Sequence, residues 1–88
     1  MSCSTTKIWR NAVQRLLKTE MSRHDVRYQE LSERLAAIGV EQSADNLRNK
    51  VNKGILGADL LLQIVSVLNV KSINTADVAD LLDDIRRG

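Results

Sequence analysis

The chain has 88 residues, of which 43% are hydrophobic, 27% are charged and 2% are aromatic. This length allows one small domain with a single core, over residues 1–88, and excludes barrels and doubly wound sheets. Because the chain has no proline, no phenylalanine and only four glycines, Leu, Val, Ile and Ala have to fill the core. The composition therefore predicts a compact all-α bundle of five helices rather than a β-sandwich or barrel.

Side chains suited to metal binding or covalent catalysis are scarce. Cys3 is the single cysteine and His24 the single histidine, so we expect neither an internal disulfide nor a structural zinc site. Gly54 and Gly57 are not followed by the Lys-Ser or Lys-Thr of a phosphate-binding loop. We predict a protein that is not an enzyme, with no metal, no cofactor and no small-molecule ligand.

Charge and hydropathy indicate the surroundings and the class of partner. No apolar stretch approaches the ~20 residues of a membrane helix, and the N-terminal segment does not resemble a signal peptide. We therefore expect a cytoplasmic protein without membrane contact. Residues 1–56 contain ten Lys or Arg against six Asp or Glu, whereas residues 57–88 contain three against five. The basic part predicts a surface for a polyanion, and ordinary scatter of surface charge is the alternative.

The first two helices are predicted over residues 7–21 and 28–38. Apolar residues in both recur at helical spacing. Trp9 lies on the stripe of the first helix, so we expect it in the core, and Ile38 ends the stripe of the second. Gly39 is expected to adopt the left-handed conformation that terminates this helix.

The third helix is predicted to begin after the N-cap Ser43 and to end at Lys53, with Gly54 just beyond it. Few of its residues are apolar. This composition predicts a surface helix that a narrow stripe joins to the core, and the stripe consists of Ala44, Leu47 and Val51.

The last two helices differ in polarity. The fourth, over about residues 58–68, is apolar almost all round, which predicts a buried hub against which the other helices pack. The fifth, over about residues 74–87, has one apolar stripe and an acidic remainder. The stripe either forms a dimer surface or closes the core of the monomer, and it consists of Val78, Leu81, Leu82 and Ile85.

The outward face of the third helix carries amides and cations. Asn and Gln can pair with the N6 and N7 atoms of adenine, and Lys with the O6 and N7 atoms of guanine. This face therefore predicts base reading in a DNA major groove, although any surface helix has a polar face. Asp45 lies on it as well and opposes DNA, because a carboxylate repels phosphate. The predicted base-reading residues are Gln42, Asn46, Asn49 and Lys53.

Several segments resemble a helix-turn-helix domain of the λ-repressor/Cro (XRE-like) type. The resemblance covers roughly residues 7–70. In a narrower way, Trp9, Tyr28 and the run Asn46-Leu47-Arg48-Asn49-Lys50 resemble a bacterial variant of that family. The segments that carry it are Tyr28-Gln29-Glu30-Leu31-Ser32-Glu33-Arg34-Leu35, Gly39-Val40, Ser43, Val51-Asn52-Lys53-Gly54 and Leu61-Leu62-Gln63-Ile64-Val65-Ser66-Val67-Leu68-Asn69-Val70.

The resemblance implies a five-helix fold in which helices 2 and 3 form the helix-turn-helix and helix 3 enters the major groove. Gln29 matches the glutamine that holds a DNA phosphate in that family, and Ser43 matches the start of the recognition helix. Two features depart from the family pattern. Helix 2 is longer before Gly39, and Leu47 and Val51 are four residues apart where the family places its inward residues three apart.

Together these features predict a small prokaryotic or phage transcription regulator that binds double-stranded DNA. We expect a homodimer, with two copies about 34 Å apart on DNA. The alternative is a protein-interaction module of a phage or mobile element, which inhibits a host or defence complex from the same scaffold. The predicted phosphate contacts are Arg27, Tyr28, Gln29, Ser43, Arg48 and Lys50; Arg10, Arg15 and Lys18 are weaker candidates.

Overall fold

The computed structural model describes residues 2–87, with side chains for residues 5–87, so the Cys3 side chain lies outside the described residues. Within this range the chain forms five α-helices and no strand, which confirms the all-α prediction. None of these helices is long and apolar enough to cross a membrane. The helices are α1 (Ser2–Arg23), α2 (Tyr28–Ala37), α3 (Ala44–Lys53), α4 (Ala58–Val67) and α5 (Thr75–Arg87).

Helix α1 is longer than the apolar spacing predicts. It has 22 residues, and α3 has ten. The end of α3 meets α1 at Arg10, so the turns of α1 before this residue extend beyond α3. Trp9 lies next to this point and is 49% exposed. The expectation that Trp9 belongs to the core is therefore wrong.

Four of the helices end in the same way. In each, a residue with positive φ follows the helix, and the next N–H bonds to a carbonyl five residues earlier, as in Val40 N to Leu35 O at 2.9 Å. This hydrogen bond satisfies a carbonyl at the helix end and turns the next apolar residue inward or along the surface. The prediction for Gly39 is confirmed, with φ +85°, whereas Ile38 lies past the end of α2 and is 54% exposed. The left-handed residues are Asp25, Gly39, Gly54 and Asn69.

The core joins residues from α1 to α4. Helix α3 contributes only Leu47 and Val51 to the buried set, and Ala44 is half-buried. The narrow stripe predicted for this helix is therefore what attaches it. The fully buried large side chains are Leu17, Leu31, Leu35, Leu47, Val51, Ile64 and Leu68.

Helix α4 is not the hub. Among the described helices, its backbone approaches only α2, whereas α1, α2 and α3 each approach two others. Leu60 and Ile64 of α4 are buried, but Leu62 is 66% exposed. The prediction of α4 as the hub is wrong because apolar composition alone does not fix which neighbours a helix has.

Helix α5 packs along α1. Leu82 is buried in this contact, and the other three residues of its apolar stripe are half-buried. This packing favours the interpretation in which the stripe closes the fold of the single chain. These three residues are Val78, Leu81 and Ile85.

Candidate functional site

The exposed face of α3 lies opposite its buried stripe. Asn46, Asn49 and Lys53 are exposed, and so is Asp45. Gln42, in the segment that precedes α3, is half-buried. The chain therefore presents two amides, a cation and a carboxylate on one surface, and a helix that projects such side chains has the shape and chemistry that a major groove accepts.

Hydrogen bonds hold both ends of this helix; at its end the Ile55 N–H donates to the Lys50 carbonyl at 3.0 Å. The Ser43 hydroxyl oxygen accepts from the Asn46 backbone N–H at 3.1 Å, which is an N-cap bond. The Ser32 hydroxyl of α2 donates to the Gln42 carbonyl at 2.6 Å, which ties the segment before α3 to its neighbour. Gly54 ends the helix with φ +63°. The exposed face is therefore presented on a rigid element.

The Gln42 side chain links three residues of the predicted site. Its Oε1 accepts from Asn46 Nδ2 at 3.1 Å and from Lys50 Nζ at 3.4 Å. These side chains satisfy one another, so any ligand that hydrogen-bonds to them would have to replace these bonds. Lys50 is half-buried on the edge of α3, which suits a contact beside the groove rather than within it.

Arg48 lies between a carboxylate and an aromatic ring. Its Nη1 donates to Asp45 Oδ1 at 2.6 Å, and its guanidinium carbon lies 5.3 Å from the centre of the Tyr28 ring. The ring face attracts the cation. Because the Asp45 side chain is 88% exposed, solvent weakens the ion pair, and a phosphate can compete with Asp45 for Arg48.

Tyr28 itself has an unusual hydroxyl group. Its oxygen is enclosed and has no hydrogen-bond partner among the described residues. Burial raises the pKa of Tyr28, and the nearby Arg48 charge acts in the opposite direction and less strongly. The enclosed hydroxyl does not favour the predicted phosphate contact by Tyr28. What the geometry favours is that the ring positions Arg48.

The beginning of α2 is open to an anion. Arg27 is the N-cap residue and is exposed, and its side chain makes no capping hydrogen bond. The first N–H groups of a helix without a cap are free to bind phosphate. Gln29 is exposed in the first turn of α2, and its Nε2 donates to Glu33 Oε2 at 3.4 Å. The predicted contacts Arg27 and Gln29 thus lie together, near Arg48.

These residues border an open hollow of about 610 Å³ where the end of α1 meets the beginnings of α2 and α3. We call it the basic hollow beside α2. It is lined by the cations Lys18, Arg27 and Arg48, by the carboxylate Asp45, and by the Tyr28 ring. Lys18 was only a weaker candidate from the sequence. No pattern of charges around Lys18 in the sequence distinguishes it from other surface lysines. The packing of α1 on α3 is what brings it to this hollow.

The comparisons with known proteins identify a family. No curated protein and no solved structure matches the chain. Residues 9–73 match the model of the family described as Domain of unknown function (DUF6471), which covers most of the chain. The chain therefore belongs to this family, and its description assigns no activity.

Proposed function

We propose that this protein binds double-stranded DNA, with α3 in the major groove and α2 and α3 acting as a helix-turn-helix. One observation carries the proposal: α3 is anchored by the fully buried Leu47 and Val51, while Asn46, Asn49 and Lys53 on its other side are exposed. A helix buried by a thin edge has most of its surface free to enter a groove.

The cations around α3 support this assignment. Arg27 is the N-cap residue of α2, Arg48 lies in the middle of α3 beside the same hollow, and Lys50 lies on the edge of α3. In the proposed complex these side chains contact phosphates, while Asn46, Asn49 and Lys53 reach base edges. Phosphate contacts set the position of the helix and base contacts set the sequence preference.

In this proposal the protein is a small transcription regulator. It acts as a homodimer, because one domain with few base contacts binds weakly. Two recognition helices about 34 Å apart would read a palindrome. The apolar stripe of α5 packs on α1, which favours a dimer contact through other residues. Leu62 on α4 is the most exposed of the large apolar side chains.

A protein-interaction module is the second candidate. The observation that favours it is the exposure of several large apolar residues outside the exposed face of α3, since such residues often mark protein contacts when they cluster. They are Trp9, Ile38, Ile55, Leu62 and Ile73. Trp9 and Leu62 lie within α1 and α4, Ile38 and Ile55 follow the ends of α2 and α3, and Ile73 lies in the loop before α5. Because they are spread over the chain in this way, the amide face of α3 is the more specific feature.

The experiment is a binding selection from duplexes with a random central region, followed by fluorescence anisotropy on selected and scrambled duplexes over a salt series. We expect enrichment of a sequence, tighter binding to it than to the scrambled duplex, and an affinity that falls as salt rises. If no duplex binds even at low salt, the proposal is rejected and the protein-interaction module becomes the better assignment.

A further inference from the structure

The two sides of α1 carry opposite charge. On the side of α5, a hollow is lined by four carboxylates and the single cation Arg23. On the side of α3, the two hollows together are lined by six cations and one carboxylate. A polyanion is therefore attracted to the side on which α3 lies. The four carboxylates belong to Glu20, Asp77, Asp80 and Asp84.

A hollow of about 710 Å³ lies between the first half of α1 and the end of α3. We call it the basic hollow beside Gly54. Lys7, Arg10 and Lys53 line it, and no carboxylate is among its lining residues in the described part of the chain. Lys53 is the last residue of α3, so this cluster of cations begins where the predicted base-reading face ends.

The two basic hollows lie at opposite ends of one groove. Two contacts show that α1 and α3 run antiparallel. Arg10, early in α1, meets Gly54 at the end of α3, whereas Lys18, later in α1, lines the basic hollow beside α2 together with Arg48. Gln14 lies between them. With its amide oriented to suit both neighbours, it donates to the Asn52 carbonyl and accepts from Lys18 Nζ, each at 3.2 Å.

The two hollows follow one side of α3. Arg10 and Lys18 are eight residues apart on α1, which is about 12 Å at 1.5 Å per residue. Because α1 runs antiparallel to α3, this distance lies along α3 and not across it. With α3 in a major groove, cations spaced in this way lie beside the DNA strand on the α1 side of α3, where they can contact more than one phosphate.

We infer that α1 forms part of the DNA interface, and that the two basic hollows bind phosphates of the strand that borders α3 on the side of α1. This inference rests on the proposed function and extends it to Lys7, Arg10 and Lys18. An acidic protein segment is a weaker match, because the cations form two separated clusters with amides between them. Arg15, on the same helix, lines neither hollow.

The test measures affinity and its salt dependence on a mixed-sequence duplex for the full chain and four variants. Lys7→Ala and Lys18→Ala remove one cation from each hollow. Arg15→Ala removes a cation from α1 outside both hollows, and Lys71→Ala removes one from the loop between α4 and α5. Circular dichroism and thermal unfolding confirm that each variant is folded.

We expect Lys7→Ala and Lys18→Ala each to weaken binding severalfold and to reduce the salt slope by about one. In the double variant the two fold-changes in affinity should multiply and the salt slope should fall by about two. Arg15→Ala and Lys71→Ala keep the slope of the unaltered protein. Equal losses for Arg15→Ala and Lys18→Ala would mean that overall charge matters and the hollows do not.

Other outcomes separate the two proposals. If the unaltered chain binds the duplex and both lysine variants bind it with the same affinity and salt slope, the inference on α1 fails and the proposed function stands. If the unaltered chain binds no duplex, both fail. A poly-glutamate peptide is the second probe. If it binds as tightly as the duplex and with the same loss in the lysine variants, the groove accepts acidic protein and the inference is overturned.

Discussion

Gly54 lies directly against the backbone of Arg10, so the end of α3 and the first half of α1 meet without a side chain between them. A Cβ at Gly54 would come within 2.6 Å of the Arg10 carbonyl carbon and 2.8 Å of its Cα. Gly54 also has φ +63°, a conformation that few residues other than glycine adopt without strain. This contact sets the distance between α1 and α3, and with it the width of the groove that the two helices form.

Gly54→Ala is expected to destabilise the fold by about 3 kcal/mol, because it adds the strain of a left-handed backbone to a clash that α1 can relieve only by moving. Gly39→Ala is the matched control, since Gly39 has φ +85° but no atom within 4 Å of the added Cβ. It should cost only about 1 kcal/mol. Urea unfolding measures both, and equal losses would show that the approach to Arg10 adds nothing.

Asp45→Asn should strengthen binding to duplexes of any sequence and steepen the salt dependence, because it releases Arg48 from its ion pair and removes a negative charge from the face of α3. Thermal stability should change little, since the Asp45 side chain is largely exposed. Asp59→Asn, in the first turn of α4, makes the same change of charge elsewhere. Fluorescence anisotropy that gave the two variants equal gains would contradict a local effect on Arg48.

Tyr28→Phe should stabilise the protein by about 1 kcal/mol at neutral pH, because it removes a buried hydroxyl that has no partner. The pKa of Tyr28 is raised by burial from its ordinary value of 10.0. The unfolded chain therefore ionises first, and the unaltered protein loses stability as the pH rises above about 10.

The phenylalanine variant lacks this group, so its advantage should grow above pH 10. Urea unfolding of both proteins at neutral and alkaline pH measures the difference. An advantage that shrank with rising pH would mean that Tyr28 ionises more readily in the fold than in the unfolded chain.

Asn49→Ala and Lys50→Ala should affect DNA binding in different ways. Asn49 is exposed at the centre of the α3 face, so its loss should weaken binding to the selected duplex by about 1–3 kcal/mol and leave scrambled duplexes nearly unaffected. Lys50 lies on the edge, so its loss should weaken all duplexes alike and reduce the salt slope by about one. Losses that did not depend on the sequence for either variant would reject the assignment of these roles.

Leu82→Ala should lower stability by about 2–3 kcal/mol at every protein concentration, because Leu82 is buried between α5 and α1 of the same chain. Leu62→Ala, on the exposed side of α4, should change monomer stability by less than about 0.5 kcal/mol. Melting curves over a range of protein concentrations measure both. A loss of stability for Leu82→Ala that disappeared at high protein concentration would favour the other interpretation, in which the α5 stripe forms a dimer interface.

Local patterns determined the helices and most of their ends. The apolar spacing around Leu47 and Val51 predicts a thin buried edge on α3, and both residues are fully buried. Ser43 and Gly39 have the residue types that begin and end helices, and they do so here. These features depend on neighbours within one helical turn, so the sequence contains enough information to predict them.

The tertiary structure alone decided which helices are neighbours and which charges come together. The apolar composition of α4 indicates burial, but among the described helices the backbone of α4 approaches only α2, whereas α1, α2 and α3 each approach two others. Lys18 is far from Arg48 along the chain and shares a hollow with it only because α1 and α3 pack antiparallel. Helical periodicity records which side of a helix is apolar, whereas the partner that covers that side depends on the packing of the whole chain.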